Sequence, residues 1–416
     1  MNTNTCLHND EFAELLKSLP DDREAAATRL GVLTRKRQIR NADTLLRLAL
    51  AYSWLDLSLR NVVAWAQQQG IVQLADVSLL ERLQKAVPFL AWLLMRVLQT
   101  KTQVPVIAGL PYRVRIIDAT VICEPGSKGT DWRIHMDMNL STQSIGALEV
   151  TDNKGGESFT RFEIQPEDLM VGDRAYATRS SICHVDAAGG YVLVRFAWQN
   201  LPLQNTDGTP FDLIGNLSNL TEEGQTSEWN VRTAPTADLR SVTGRVIAVR
   251  KTQAACEAAR RTAIKNAKKK GHTPDARTLL TCDYLLLFTT VAASVMEAAA
   301  LVRLYRYRWQ IECGFKRMKS LFCLDGLRAK NDALCQAYLY SKLLGALLTD
   351  QCTGSWAAFS PWGGPEHPSN FTMASPANGL VDAATGGVGN TSPGRLGPGA
   401  PSTRAALLRP TTPQSP

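Results

Sequence analysis

The sequence predicts an α/β protein: a mixed sheet with acids at its strand ends, preceded by a helical N-terminal region and followed by a tail outside the fold. Three observations carry that prediction. Apolar residues recur at helical spacing through residues 1–104. From Arg113 onward, short β-branched runs alternate with helical stretches. Residues 353–416 hold 10 of the 20 prolines and 10 of the 29 glycines, with almost no hydrophobic period, which is the composition of a disordered tail. The 416 residues allow two or three domains, and these breaks set them at 1–104, 105–352 and 353–416.

Composition narrows the function. The net charge of +8 and a pI near 9.0 favour a polyanionic partner. Nine scattered cysteines include no C-x-x-C pair and no Cys/His cluster at zinc-finger spacing, so they read as reduced thiols or small core residues. The polar start, MNTNTCLHNDEF, lacks the apolar run of a signal peptide, and no segment reaches 18 consecutive apolar residues. The expectation is a cytoplasmic protein with no membrane span.

In chain order, Asp10 is placed to cap a first helix carrying Phe12, Leu15, Leu16 and Leu19 and stopped by Pro20. A second helix follows with Leu45, Leu46, Leu48, Ala49 and Tyr52 on its buried side. The helix Leu59 to Gln69, a turn at Gly70 and a helix starting near Asp76 or Ser78 fit a helix-turn-helix-like pattern, with Ser78 and Glu81 as a capping box. A plain helical bundle fits the same pattern.

After Pro105 the character changes. Strands are predicted at 113–122, 132–140 and 145–151, then at 169–171 and 191–196, with a helix at 180–188. The order reads strand, strand, strand, helix, strand, helix, strand. Asp118 sits inside the first run and Asp173 just beyond the fourth strand. An acid within a β-branched run is costly unless it is paired or binds a cation. His135 and Asp137 share one face of the second strand, where structural hydrogen bonding and function are equally compatible with them.

Residues 198–290 read as a β-rich insertion. Within it, residues 250–270 hold eight cations, Arg250, Lys251, Arg260, Arg261, Lys265, Lys268, Lys269 and Lys270, against one acid, Glu257. A solvated helix face has this composition too, but a track for a phosphate backbone is the preferred reading. A strand at 283–289, a capping box at Ser294 and Glu297, one long helix and a last helix at 332–350 complete the order. On the long helix, Tyr305, Arg308, Glu312 and Lys319 are spaced by three, four and seven. At about 100° per residue all four share an arc of roughly 60°. The adjacent stripe of Leu304, Tyr307, Ile311 and Met318 is apolar, and Trp309 and Phe315 are expected in the core. One carboxylate between two cations and a phenol suits a metal and a phosphate; an ordinary surface ion pair is the plain alternative.

Asp118 in IIDAT, Asp173 in VGDRAYA and the Tyr305, Arg308, Glu312, Lys319 spacing together resemble the DDE transposases of insertion sequences. The last pattern is similar to the Y-(2)-R-(3)-E-(6)-K signature of the IS4 family, and the resemblance spans roughly residues 40–350. It implies a ribonuclease H-like catalytic domain with a β-rich insertion, in which Asp118, Asp173 and Glu312 are the catalytic acids and hold two Mg²⁺ or Mn²⁺ ions. It also implies that Tyr305, Arg308 and Lys319 grip phosphates of double-stranded DNA at transposon ends. The protein would act as a homodimer on the bacterial nucleoid, by cut-and-paste strand cleavage and transfer. A non-catalytic, truncated DNA-binding relative and a metal-dependent nuclease are the two alternatives.

Overall fold

The computed structural model describes residues 9–34, 36–99, 110–142 and 144–353. The expected break near residue 104 and, apart from Thr353, the expected tail lie outside them.

Six helices open the chain: α1 (Asn9–Lys17), α2 (Arg23–Arg29), α3 (Ala42–Trp54), α4 (Leu59–Gln68), α5 (Asp76–Lys85) and α6 (Val87–Gln99). The Asn41 and Ser58 side chains cap α3 and α4 by accepting from Thr44 N–H at 2.8 Å and Asn61 N–H at 3.3 Å. Gly70, at φ +67°, makes the turn after α4. Two expected caps fail. Asp10 lies inside α1, and Ser78 and Glu81 lie inside α5, whose N-cap is Ala75. Helix α2 was not anticipated; its seven residues are too few to show a period.

The strands β1 (Arg113–Ile122), β2 (Trp132–Asn139), β3 (Ser144–Asp152), β4 (Asp168–Gly172) and β5 (Tyr191–Arg195) fall close to the sequence-based bounds, as does α7 (Arg179–Ala187). The expected helix between β3 and β4 is a single 3₁₀ turn, Phe159–Arg161. Its side chains explain this: Phe159 is fully buried, and Arg161 turns back to Glu149 on β3 at 3.0 Å.

The β-rich stretch continues the same sheet. After β6 (Leu203–Gln204) and α8 (Leu213–Ser218) come β7 (Thr226–Thr233), β8 (Thr243–Arg250), α9 (Gln253–Lys269), α10 (Ala276–Thr281) and β9 (Tyr284–Thr289). The nine strands run in the order β3-β2-β1-β4-β5-β9-β8-β7-β6. Strands β1, β4 and β5 are parallel neighbours, and every other pair is antiparallel. Strand β9 joins the two halves because both its faces are apolar. Leu285 and Leu287 pack on the helix side of the sheet, Leu286 and Phe288 on the other.

The chain ends in α11 (Ala298–Arg306), α12 (Trp309–Phe322) and α13 (Asp332–Thr353). The single long helix is therefore two. Across the joint, Tyr307, Arg308, Gln310 and Ile311 N–H groups all bond the carbonyl three residues back, the tighter 3₁₀ pattern. No capping box launches α11 either: Glu297 is its N-cap without a side-chain bond. Buried Arg245 donates to the carbonyls of Val291 and Met296 and holds the chain in a turn there. One continuous core joins the N-terminal helices, α11 to α13 and one sheet face; α7, α8 and the Phe159 turn cover the other face.

Candidate active site

Asp118 lies on β1 with the periodicity of Ile116, whose face packs on the helices. The last β1–β4 pair is Ile116 with Val171, so continuing that register by two residues sets Asp118 level with Asp173. Asp173 leaves β4 in a turn that its own carboxylate closes, accepting from Ala175 N–H at 2.8 Å. Gly172 permits this turn. A Cβ there would stand 2.9 Å from both Phe159 Cζ and Tyr176 Cβ.

Glu312 comes from the first turn of α12, and Arg308 ties it to the sheet. One guanidinium nitrogen donates to Asp118 Oδ2 at 3.2 Å, and the other donates to Glu312. All three side chains are mostly buried, at 16%, 13% and 17% exposure. Burial, with Asp173 and Glu312 pushing the same way, raises the Asp118 carboxyl to about 7, against the opposing pull of Arg308 and Ala119 N–H. Arg308 is held above its ordinary value: burial works against its charge, but Tyr305, Glu312 and Asp118 outweigh it.

Lys319 Nζ donates to the Val121 carbonyl of β1 at 3.0 Å, three residues beyond Asp118, and burial lowers its pKa. Tyr305 is 5% exposed, with its ring 5.9 Å below the Arg308 guanidinium. It supports Arg308 from the core. The apolar stripe of Leu304, Ile311 and Met318 is buried as expected, as is Phe315, whereas Trp309 is 39% exposed. The joint before α12 turns Trp309 outward.

Among the described residues, no three His, Cys, Asp or Glu side chains are gathered tightly enough to hold a metal ion. Arg308 stands between Asp118 and Glu312. The donors nonetheless suit a hard divalent cation: all are carboxylate oxygens, and the repulsion of Asp173 and Glu312 adds to the burial that raises Asp118.

The basic run divides. Arg250 and Arg260 both pair with Asp283, at 2.8 and 2.7 Å, and that carboxylate is 1% exposed. Lys251 is 2% exposed and donates to the Cys282 carbonyl. Arg250 and Lys251 are taken up by the fold, and Arg260 shares the same carboxylate while its side chain stays 45% exposed. The rest are exposed: Arg261, which faces Glu257 at 3.9 Å, lines one open face of α9 with Ile264, Lys265, Lys268 and Lys269, and Lys270 caps that helix. His135 and Asp137 are structural, bound to Thr151 at 3.0 Å and to Arg115 at 2.6 Å.

Two groups near the acids escaped the sequence reading. Glu157, paired with Arg133 at 3.3 Å, lies close enough to Asp173 to be raised by it in addition to its burial. Tyr176 is fully buried. Its place in the Asp173 turn was the available signal; Glu157, in a polar turn, offered none.

Residues 109–348 match the family described as Transposase DDE domain. The chain is 32% identical over 359 residues to the putative transposase InsL for insertion sequence element IS186A of Escherichia coli K12, covering 85% of this chain and 96% of that one. Identity is also 32% over 360 residues, with the same coverage, to the transposase for insertion sequence element IS421 of Escherichia coli. A more distant relative is the transposase for IS231F of Bacillus thuringiensis subsp. israelensis, 24% identical over 267 residues, 57% of this chain and 55% of that one.

Proposed function

Because this chain belongs to the DDE transposases of insertion sequences, enzymes that cut and join DNA with divalent metal, we propose that Asp118, Asp173 and Glu312 are its catalytic acids and that it moves one element by binding terminal inverted repeats, cleaving there and transferring the freed strand. The bridge from Arg308 to Asp118 and Glu312 carries this reading, because it joins the acid of a central strand to the acid of a distant helix. The strand order β3-β2-β1-β4-β5 with β2 alone reversed supports a ribonuclease H-like core, to which β6 to β9 add the β-rich insertion.

The three acids would hold two Mg²⁺ or Mn²⁺ ions, which would supply activation of the attacking oxygen and stabilisation of the leaving one. The chain's own residues do the rest. Asp118 must give up its proton, which its raised pKa retains up to near neutral pH. Arg308, released from the carboxylates as their charge is neutralised, turns to a non-bridging phosphate oxygen, braced by the Tyr305 ring. Lys319, anchored on Val121 of β1, lies within the same stretch of sheet and adds a second cation to the strand. Arg261, Lys265, Lys268, Lys269 and Lys270 would follow the backbone of double-stranded DNA further out, with the α4–turn–α5 unit as a second contact. Paired ends call for a homodimer on DNA, in the cytoplasm on the nucleoid. Among the described residues, no helix is long and apolar enough to cross a membrane.

The test is strand cleavage and joining on repeat-ended DNA with Mg²⁺ or Mn²⁺. Glu312→Gln should abolish both and keep DNA binding. Cleavage without joining would make the protein a nuclease, and binding without chemistry would make it a non-catalytic relative.

A further inference from the structure

Helix α9 stands away from the sheet that carries it, held mainly at its two ends. Thr252 caps the first by accepting from Ala255 N–H at 3.4 Å, and Ala255 and Cys256 are buried there. At the other end Ala267 is buried, and Gly271, at φ +74°, turns the chain away. Between them none of residues 257–266, all of them described, is buried, and only Ala259 and Ala263 are even half-buried. Arg260 leans back to Asp283 at 2.7 Å. At about 100° per residue the supporting side is a narrow stripe through Ala255, Ala259, Ala263 and Ala267, and the opposite side centres on Arg261, Lys265 and Lys268. These three line one open face with Ile264 and Lys269 on its flanks.

Two of those side chains do not fit a face that merely meets solvent or follows one phosphate backbone. Ile264 is 37% exposed and belongs to neither hydrophobic core, although four cations surround it. Arg261 faces only Glu257 among the described residues, at 3.9 Å with both side chains more than half exposed, a contact that solvent screens and a stronger partner displaces. An α-helix is about 10–12 Å across with its side chains, and the major groove of B-form DNA is about 12 Å wide. That groove presents guanine acceptors that a guanidinium grips as a fork, and thymine methyls that an apolar side chain covers. The deep, narrow major groove of double-stranded RNA does not admit side chains in this way.

Building on the transposase reading, we propose that α9 enters the major groove of the transposon end and that Arg261 and Ile264 read its bases, Arg261 a guanine and Ile264 a thymine methyl. Lys265, Lys268 and Lys269 reach outward from the same face to the phosphates of the groove walls. The lysines hold the helix on any sequence, and the two readers make it prefer one.

The experiment measures binding of the full chain to a terminal-repeat duplex and to a scrambled duplex of the same length and composition, by fluorescence anisotropy over a range of salt. Arg261→Lys keeps the charge and loses the fork, so its salt slope should match the parent's while its preference for the repeat falls about tenfold. Ile264→Ala should leave the slope unchanged and lower the preference about fivefold. Lys268→Ala should weaken both duplexes alike and reduce the slope by about 0.9. All three positions are exposed, so melting temperatures should stay within about 2 °C of the parent's. A preference retained in one reader variant would strike that residue from the readout; retained in both, it would confine α9 to phosphates and overturn the proposal. Tighter binding to a duplex RNA of the repeat sequence, or a reader variant that melts well below the parent, would overturn it too. A parent that binds both DNA duplexes equally would instead remove the end-binding reading beneath it.

Discussion

Arg308 donates to Asp118 at 3.2 Å across 190 positions of sequence, and the same guanidinium holds Glu312. Helix α12 is thus tied to β1 by a cation set between the two carboxylates proposed to hold metal. Removing one member of a mostly buried ion pair costs about 3 kcal/mol, at the low end of the usual range because Asp118 can take up a proton. Arg308→Ala should therefore lower the metal-free melting temperature, and saturating Mg²⁺ should recover more of that loss than it adds to the parent. Thermal unfolding with and without Mg²⁺ checks this; a deficit that Mg²⁺ leaves untouched would mean the metal sits elsewhere.

The raised Asp118 carboxyl has a defined pH signature. Its folded value of about 7 lies above the unfolded value of about 3.9, so its contribution is complete below the latter and is lost as pH climbs to 7. The loss is on the order of a few kcal/mol. His135 acts oppositely: burial lowers it to about 4, so stability rises as pH passes from there to its unfolded value near 6.5. The difference between parent and Asp118→Asn isolates the carboxyl. Without metal, Asp118→Asn should gain stability relative to the parent between pH 4 and pH 7 and hold a constant advantage above it. Saturating Mg²⁺, which needs the ionised form, should shrink or reverse that advantage. Chemical denaturation across the range measures it, and parallel curves for the two proteins would refute the assignment.

Much of this site was legible because its chemistry is local. IIDAT sets an acid inside an apolar strand and DLMVGDRAYA sets one just where a strand ends, and the 305–319 spacing survives even though the helix carrying it is broken. What stayed hidden depends on contacts distant in sequence. Nothing near Tyr307 marks the 3₁₀ joint, which turned Trp309 outward. The basic run looked uniform because the partner of Arg250 and Arg260, Asp283, is 23 or more residues away and buried. Likewise, β9 read as a return to the sheet, but only its pairing with both β5 and β8 reveals that the β-rich stretch extends that sheet.

Gly172 predicts how tightly Asp173 is placed. A methyl group there meets Phe159 Cζ and Tyr176 Cβ at 2.9 Å, and both rings are fully buried, so neither can withdraw cheaply. Gly172→Ala should cost about 1–3 kcal/mol of stability through overpacking. Because the strain falls on the turn that presents Asp173, DNA cleavage should fall by more than tenfold while DNA affinity stays within about twofold. Cleavage and binding assays below the melting transition decide it; full activity would show that the turn relaxes freely.

The two halves of the basic run should respond oppositely to mutation. Lys265, Lys268 and Lys269 are exposed along one face of α9, so replacing all three with Ala should change stability by no more than about 0.5 kcal/mol per site. If each neutralises a phosphate, the slope of log affinity against log salt should fall by about 0.9 per lysine, near 3 in total, with little dependence on DNA sequence. Asp283→Ala should instead destabilise by about 3–5 kcal/mol, since it leaves Arg250 and Arg260 without their shared buried carboxylate. Salt-dependent DNA binding and urea unfolding, run on both variants, separate the roles. A triple variant with an unaltered salt slope would reduce that face of α9 to a solvated surface, while the dependence of the fold on Asp283 would still stand on its own measurement.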